Sequence, residues 1–192
     1  MAMVRIREFY PGDRASRSRF HVGFASCADR RAGVPFRSMF EKRMLATWGD
    51  MDFNAHMRNT AFLDKSADLR LMFFAEHGLP IDEFLRLGIG PVVRTDEIEY
   101  FREIRLLEEV RVTIAAAGLS DDGARFIIRN EFWRGDGDLA ARVTSAGGWL
   151  DHKTRKLVVP PAALRSALQQ LVRTDDFQVL KPLRVSPSSS DV

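Results

Sequence analysis

Cysteine is almost absent from the 192-residue sequence, which has Cys27 alone. An internal disulfide and a cysteine-cluster metal site are thereby excluded, and the usage fits a reducing compartment. No apolar run approaches the roughly 18–20 residues needed to span a bilayer. The N-terminus also lacks the apolar stretch of a secretory signal. The cytoplasm is therefore the expected location, with no membrane partner. The sequence has no His-x-x-Glu-His or comparable ligand spacing, so no metal is expected. It has no Gly-x-Gly-x-x-Gly or phosphate-loop pattern, which argues against a nucleotide cofactor. The absence of a Gly-x-Ser-x-Gly elbow removes the ready explanation of a serine-triad hydrolase.

What is present is unevenly charged. Residues 1–38 hold eight arginines against three acidic side chains, a net of +5. The other 21 basic and 23 acidic residues leave the rest of the chain at −2. The basic character is thus a property of the N-terminal extension, and a nucleic-acid-binding body would need a basic stripe of its own. Residues 1–38 read as a loosely ordered basic extension, 39–175 as the folded domain, and 176–192 as a Ser- and Pro-containing tail.

From residue 39 the pattern becomes regular. Residues 39–48 read as a strand. Phe62, Leu63, Ala67, Leu69, Phe73 and Phe74 then recur near a 3.6-residue period, predicting a helix over 60–77. Leu71, Met72 and Ala75 widen its apolar face, so other structure is expected to wrap it. Gly78 is placed to stop this helix, and 80–87 predicts a short second one. Four strands follow, at 92–102, 109–119, 125–133 and 139–150. The third is reached through an Asp122-Gly123 hairpin signal, and Val110, Val112, Ile114 and Ala116 share one face of the second. A C-terminal helix is predicted over 162–172, with Pro160-Pro161 before it. A run of antiparallel strands must bury one face, and the long apolar helix is the available partner. The expected class is α+β: a curved antiparallel sheet of about five strands wrapped around a central helix, the hotdog arrangement.

Between the first strand and that helix lies Gly49-Asp50-Met51-Asp52-Phe53-Asn54-Ala55-His56-Met57-Arg58-Asn59, which gathers two carboxylates, two carboxamides and an imidazole. Asp and Asn beside a helix start are ordinary capping residues one at a time. Five such groups together point to chemistry.

This segment, continued by Phe62-Leu63, resembles the signature of hotdog-fold acyl thioesterases. Gly49-Asp50-Met51-Asp52 is similar to the Gly-Asp-x-Asp segment of the 4-hydroxybenzoyl-CoA thioesterase branch, which puts Asp52 in the catalytic place. Asp52, Asn54 and His56 match the Asp-x-Asn-x-His pattern of plant-type acyl-acyl-carrier-protein thioesterases. That branch has a glutamate in a Tyr-x-Arg-Glu segment, matched by Tyr100-Phe101-Arg102-Glu103. Its following cysteine is Ile104 here, so a thiol nucleophile at that place is excluded. The resemblance covers roughly residues 40–165 and implies an acyl-CoA thioesterase acting as a homodimer or homotetramer with its active site at the subunit interface, where Asp52 and Glu103 would meet across subunits. It implies no cofactor beyond coenzyme A as part of the substrate.

Thioester hydrolysis needs a base or nucleophile at the carbonyl carbon and donors where the oxyanion develops. Asp52 is the expected carboxylate, by either route. Asn59 opens the central helix, whose free N–H groups and positive dipole end make its backbone amide the candidate oxyanion donor. His56 is expected to orient water, protonate the leaving thiolate or brace the loop, and Asn54 to position Asp52 or His56. Asp64 on the helix is the reserve nucleophile, set against the plainer role of pairing with a cation such as Lys65. Arg102, Arg105 and Arg111 are candidates, unassigned, for the coenzyme A phosphates. The open alternatives are an acyl-ACP thioesterase, a hotdog hydratase or dehydratase, and a non-catalytic acyl-CoA-binding protein. The near-neutral body favours coenzyme A over an acidic carrier protein.

Overall fold

The computed structural model describes Met3–Glu8 as backbone and residues 38–183 in full. In chain order the elements are β1 (Met3–Glu8), β2 (Phe40–Leu45), α1 (Asn59–Glu76), α2 (Ile81–Leu87), β3 (Ile89–Tyr100), β4 (Glu109–Ser120), β5 (Arg125–Arg134), β6 (Leu139–Asp151), β7 (Leu157–Val158), α3 (Ala162–Gln170) and β8 (Arg173–Leu180). The sheet runs β1-β3-β6-β5-β4-β2, with β7 added to β6 and β8 to β4. All five strands expected from the sequence are present and pair antiparallel with one another, β3 lying beside β6 and β2 beside β4. Two parallel pairings, β1 with β3 and β8 with β4, extend the sheet. The architecture is the α+β hotdog fold. Among the described residues no helix is long and apolar enough to cross a membrane.

One face of α1 carries Phe62, Leu69 and Phe73 into a core completed by Ile98, Val112, Ile128, Phe132 and Val143 from the sheet. Phe62 meets Phe132 edge to face at 5.1 Å. The Asp122-Gly123 signal forms its hairpin: Gly123 takes φ 72°, and Asp122 accepts the Ser120 hydroxyl and the Ala124 N–H. Val110, Val112, Ile114 and Ala116 are buried as the alternation predicts, but so are Thr113, Ala115 and Ala117 on the opposite face. Asp176 and Gln178 of β8 lie over that side with Ala117, Ile127 and Arg129, and Arg129 grips Asp176 through two hydrogen bonds of 2.8 Å.

Three expectations are corrected. The first strand ends at Leu45, because a 3-10 turn at Trp48–Asp50, closed by Thr47 and Asp50, breaks the extended run. The folded domain runs past residue 175, since β8 continues to Leu180. β2 covers the edge of β4 only as far as Ile114, and β8 supplies partners to Gly118, Leu119 and Ser120, whose ladder groups would otherwise be unpaired. Leu71, Met72 and Ala75 do not join the wrapped face of α1; all three are exposed in the single chain. Of the extension 1–38, only Met3–Glu8 and Ser38 fall within the described residues.

Candidate active site

The polar segment folds into a narrow loop closed on itself. Arg58 donates its N–H to the Asp50 carbonyl at 2.8 Å, Met51 and Met57 form a bridge, and Asp52 donates its N–H to the His56 carbonyl at 2.8 Å. Its tip is held by Ala55 at φ 60°, a left-handed conformation that a non-glycine residue enters at a cost of about 1 kcal/mol or more. The loop is tied outward by Met57, whose N–H reaches the Ile104 carbonyl at 2.9 Å, and by a bridge from His56 to Arg105. It therefore lies against the segment between β3 and β4 that carries Glu103.

Asp52 is exposed, with one oxygen occupied. Its Oδ1 accepts the backbone N–H of Asn54 at 2.8 Å and of His56 at 3.2 Å. Oδ2 has no protein donor among the described residues. Asn54 thus holds Asp52 through its backbone, and its exposed side chain forms no hydrogen bond to Asp52 or His56. The His56 ring turns to Glu103, with Nε2 3.0 Å from Oε2. This contact lies within one chain, and Glu103 stands beyond the end of β3 rather than in a strand.

Asp50 braces the loop. Its Oδ2 accepts the Thr47 N–H at 2.7 Å and hydroxyl at 2.8 Å, and lies 2.9 Å from Lys65 Nζ of α1. Burial works against ionisation of this carboxyl, but the Lys65 and Thr47 donors outweigh it and hold the pKa below its ordinary value of 3.8. A pKa depressed by folding gives stability that is complete above the ordinary value and lost as pH falls through the folded one. Thermal melts taken from about pH 5 to pH 2 should therefore show the wild type losing its advantage over Asp50→Asn as the acid range is entered. A gap that stays constant over that range would contradict the assignment.

α1 begins immediately after the loop, with Arg58 as its N-cap and no side-chain cap bond. The Ala61 N–H goes to the Arg58 carbonyl at 3.1 Å and the Thr60 N–H to the Asn59 side-chain oxygen at 2.8 Å. The Asn59 N–H has no acceptor among the described residues. It is left free at the positive end of the helix dipole. Asp64 is exposed on the helix and has no ion pair among the described residues, Lys65, its expected partner, being taken by Asp50.

The arginines sort differently from their sequence neighbourhood. Arg102 pairs with Asp138 at 3.4 Å, and Arg111 pairs with Glu41 at 2.8 Å and lies over the Trp133 ring. The guanidinium groups of Arg58 and Arg105, both exposed and on either side of the loop, form no ion pair among the described residues, and Arg105 meets the Glu108 carboxylate only through its backbone N–H, at 3.1 Å. The sequence did not single out Arg58, whose only signal is its place next to Asn59. It also passed over Arg70, one charge among the apolar periodic positions of α1.

These features have parallels in known proteins. The model of the thioesterase-like superfamily matches residues 46–168. No match is found among curated protein sequences. The fold is similar to that of protein SAV2348 from Staphylococcus aureus, solved in complex with CoA, at 18% identity and a TM-score of 0.66, covering 82% of this chain and 94% of that one. A putative oleoyl thioesterase from Lactobacillus plantarum is similar at 19% identity and a TM-score of 0.65, over 82% of this chain and 59% of that one. A 1,4-dihydroxy-2-naphthoyl-CoA thioesterase from Synechocystis is similar at 15% identity and a TM-score of 0.62, over 69% and 96%. The family match spans more than half of the sequence and includes the loop, α1 and strands β3 to β6: the chain belongs to the thioesterase-like superfamily.

Proposed function

We propose that the protein is an acyl-CoA thioesterase, releasing a free carboxylic acid and CoA, with Asp52 as the reacting carboxylate. The observation that carries this reading is the joint placement of an Asp52 carboxylate with one free oxygen and an unused Asn59 N–H at the two ends of one closed loop. Membership of the thioesterase-like superfamily supports it, as does the CoA bound by the similar Staphylococcus aureus protein.

Two routes are open to this geometry. In one, Asp52 Oδ2 takes a proton from water as the water oxygen attacks the thioester carbon. In the other, Oδ2 attacks that carbon itself, forming an anhydride that water then opens. In both, the carbonyl oxygen becomes an oxyanion that accepts the Asn59 N–H, and collapse of the tetrahedral centre breaks the C–S bond. His56, held by Glu103, delivers a proton to the leaving thiolate. Asp64 is the reserve carboxylate.

A second subunit completes the account. Trp48 and Phe53 flank the loop at 81% and 97% exposure, and apolar rings so open beside a site call for a cover. A homodimer or homotetramer would supply it, and light scattering on the eluted protein measures the state.

The test is thiol release over a panel of acyl-CoAs, with hydrolysis of at least one expected; a wild type inactive on all of them would favour a binding protein. Arg58 and Arg105 are assigned to the coenzyme A phosphates. Replacing both with alanine is expected to raise KM about tenfold with kcat little changed, and to weaken its salt dependence. An unchanged KM would remove them from the site.

A further inference from the structure

α1 places one cationic side chain where an apolar one is expected. Arg70 follows Ala67 by three residues and precedes Phe74 by four, so all three lie along one side of the helix. They border a cavity of about 260 Å³ whose other walls include Phe84, Ile128 and Trp149. Among its lining side chains Arg70 alone is charged. One terminal guanidinium nitrogen is shut off from solvent and has no hydrogen-bond partner among the described residues. The carboxylate of Asp96 on β3 acts on Arg70 through space, forms no ion pair with it, and itself accepts the Ser145 hydroxyl at 2.6 Å.

A guanidinium N–H group stripped of water and left without an acceptor is costly for a fold to keep. Its charge is already partly balanced by Asp96. What it lacks is a hydrogen-bond acceptor. A second carboxylate would bring another desolvated ion into the field of Asp96, whereas a neutral oxygen supplies the acceptor without that penalty.

We propose that this cavity receives the far end of the acyl group and that Arg70 selects acyl chains bearing a neutral oxygen there, a hydroxyl or carbonyl. This rests on the thioesterase reading and extends it to the substrate class. Ala67 is eight residues beyond Asn59, about 12 Å along the helix axis. The substrate is therefore a chain of medium length or longer rather than a single small ring. Arg70 is a specificity-determining residue remote from the reacting carbon.

The experiment compares kcat/KM for decanoyl-CoA, ω-hydroxydecanoyl-CoA and the ω-carboxy analogue on wild type, Arg70→Met and Arg70→Lys. A charge-assisted hydrogen bond predicts that the wild type favours the ω-hydroxy over the plain chain roughly 10- to 100-fold. Arg70→Met should abolish or invert that ratio, and Arg70→Lys, which keeps the charge on a shorter reach, should leave part of it. A merely structural Arg70 would shift both substrates together. A ratio unchanged in the variants, no wild-type preference, or a preference for the ω-carboxy chain would overturn the proposal. If the wild type hydrolyses none of the three, the thioesterase reading fails for these chains. Calorimetric binding of ω-hydroxydecanoate and decanoate then decides the cavity: an Arg70-dependent preference upholds it, and equal binding overturns it.

Discussion

Asp52→Asn is expected to lower kcat for thiol release by roughly 100-fold or more, with KM and the melting temperature nearly unchanged. The substitution is selective because of how the side chain is held. Oδ1 accepts two backbone N–H groups from Asn54 and His56, and an amide oxygen can accept both in the same geometry, though more weakly than a carboxylate. The loop's other ties run through Asp50, Met57 and the main chain, none of which the change touches. What disappears is the negative charge and the basicity of the second oxygen, which both hydrolytic routes require. A fall in kcat with an intact fold therefore reports chemistry. His56→Ala is expected to have a smaller effect, because the ring is about one-third exposed and water can replace it as a proton donor.

The largest stability effect is expected at Trp149. This indole is fully buried, packs against Phe74 and Phe126 at centroid distances of 5.7 and 5.4 Å, and stacks with Phe84 at 6.1 Å. Its Nε1–H donates to the Gly123 carbonyl at 3.1 Å, tying β6 to the hairpin between β4 and β5. Trp149→Ala removes the largest side chain at the point where α1, α2 and the sheet converge, and leaves that carbonyl without its donor. The expected cost is about 3–5 kcal/mol, read as a lower denaturant midpoint in equilibrium unfolding. A loss below about 1 kcal/mol would mean that the core repacks freely there.

The strands of the central sheet were legible because each carries a local signal. Asp122-Gly123 fixes one hairpin, and the inward residues of β4 alternate as they should. β8 was not legible. In Arg-Thr-Asp-Asp-Phe-Gln-Val-Leu only Thr174, Phe177 and Leu180 are partly covered, three residues apart, so no period of two emerges. Its pairing is dictated by the open edge of β4, a property of the assembled sheet. Leu71 and Met72 misled in the other direction: composition made α1 look wrapped on all sides, while their exposure leaves an apolar face on the single chain.

The candidate site divides in the same way. The Asp52–Asn59 loop was legible as a cluster of side chains, but not the division of labour within it. Asn54 acts through its N–H rather than its amide, since a tight turn closed by Ala55 points main-chain donors at the carboxylate. The His56–Glu103 contact joins residues 47 positions apart, and only the bridge between the loop and the β3–β4 connection sets it. Arg70 was visible as a letter and invisible as a problem, because a buried, unpaired guanidinium is defined by its surroundings.

The most direct test is the rate of thiol release at saturating acyl-CoA for Asp52→Asn and Asp64→Asn side by side. The two carboxylates flank the start of α1, and only Asp52 has a backbone cradle. The expected result is near-complete loss in Asp52→Asn and retention of most activity in Asp64→Asn. An active Asp52→Asn enzyme beside an inactive Asp64→Asn one would contradict the account and move the chemistry from the loop to the helix.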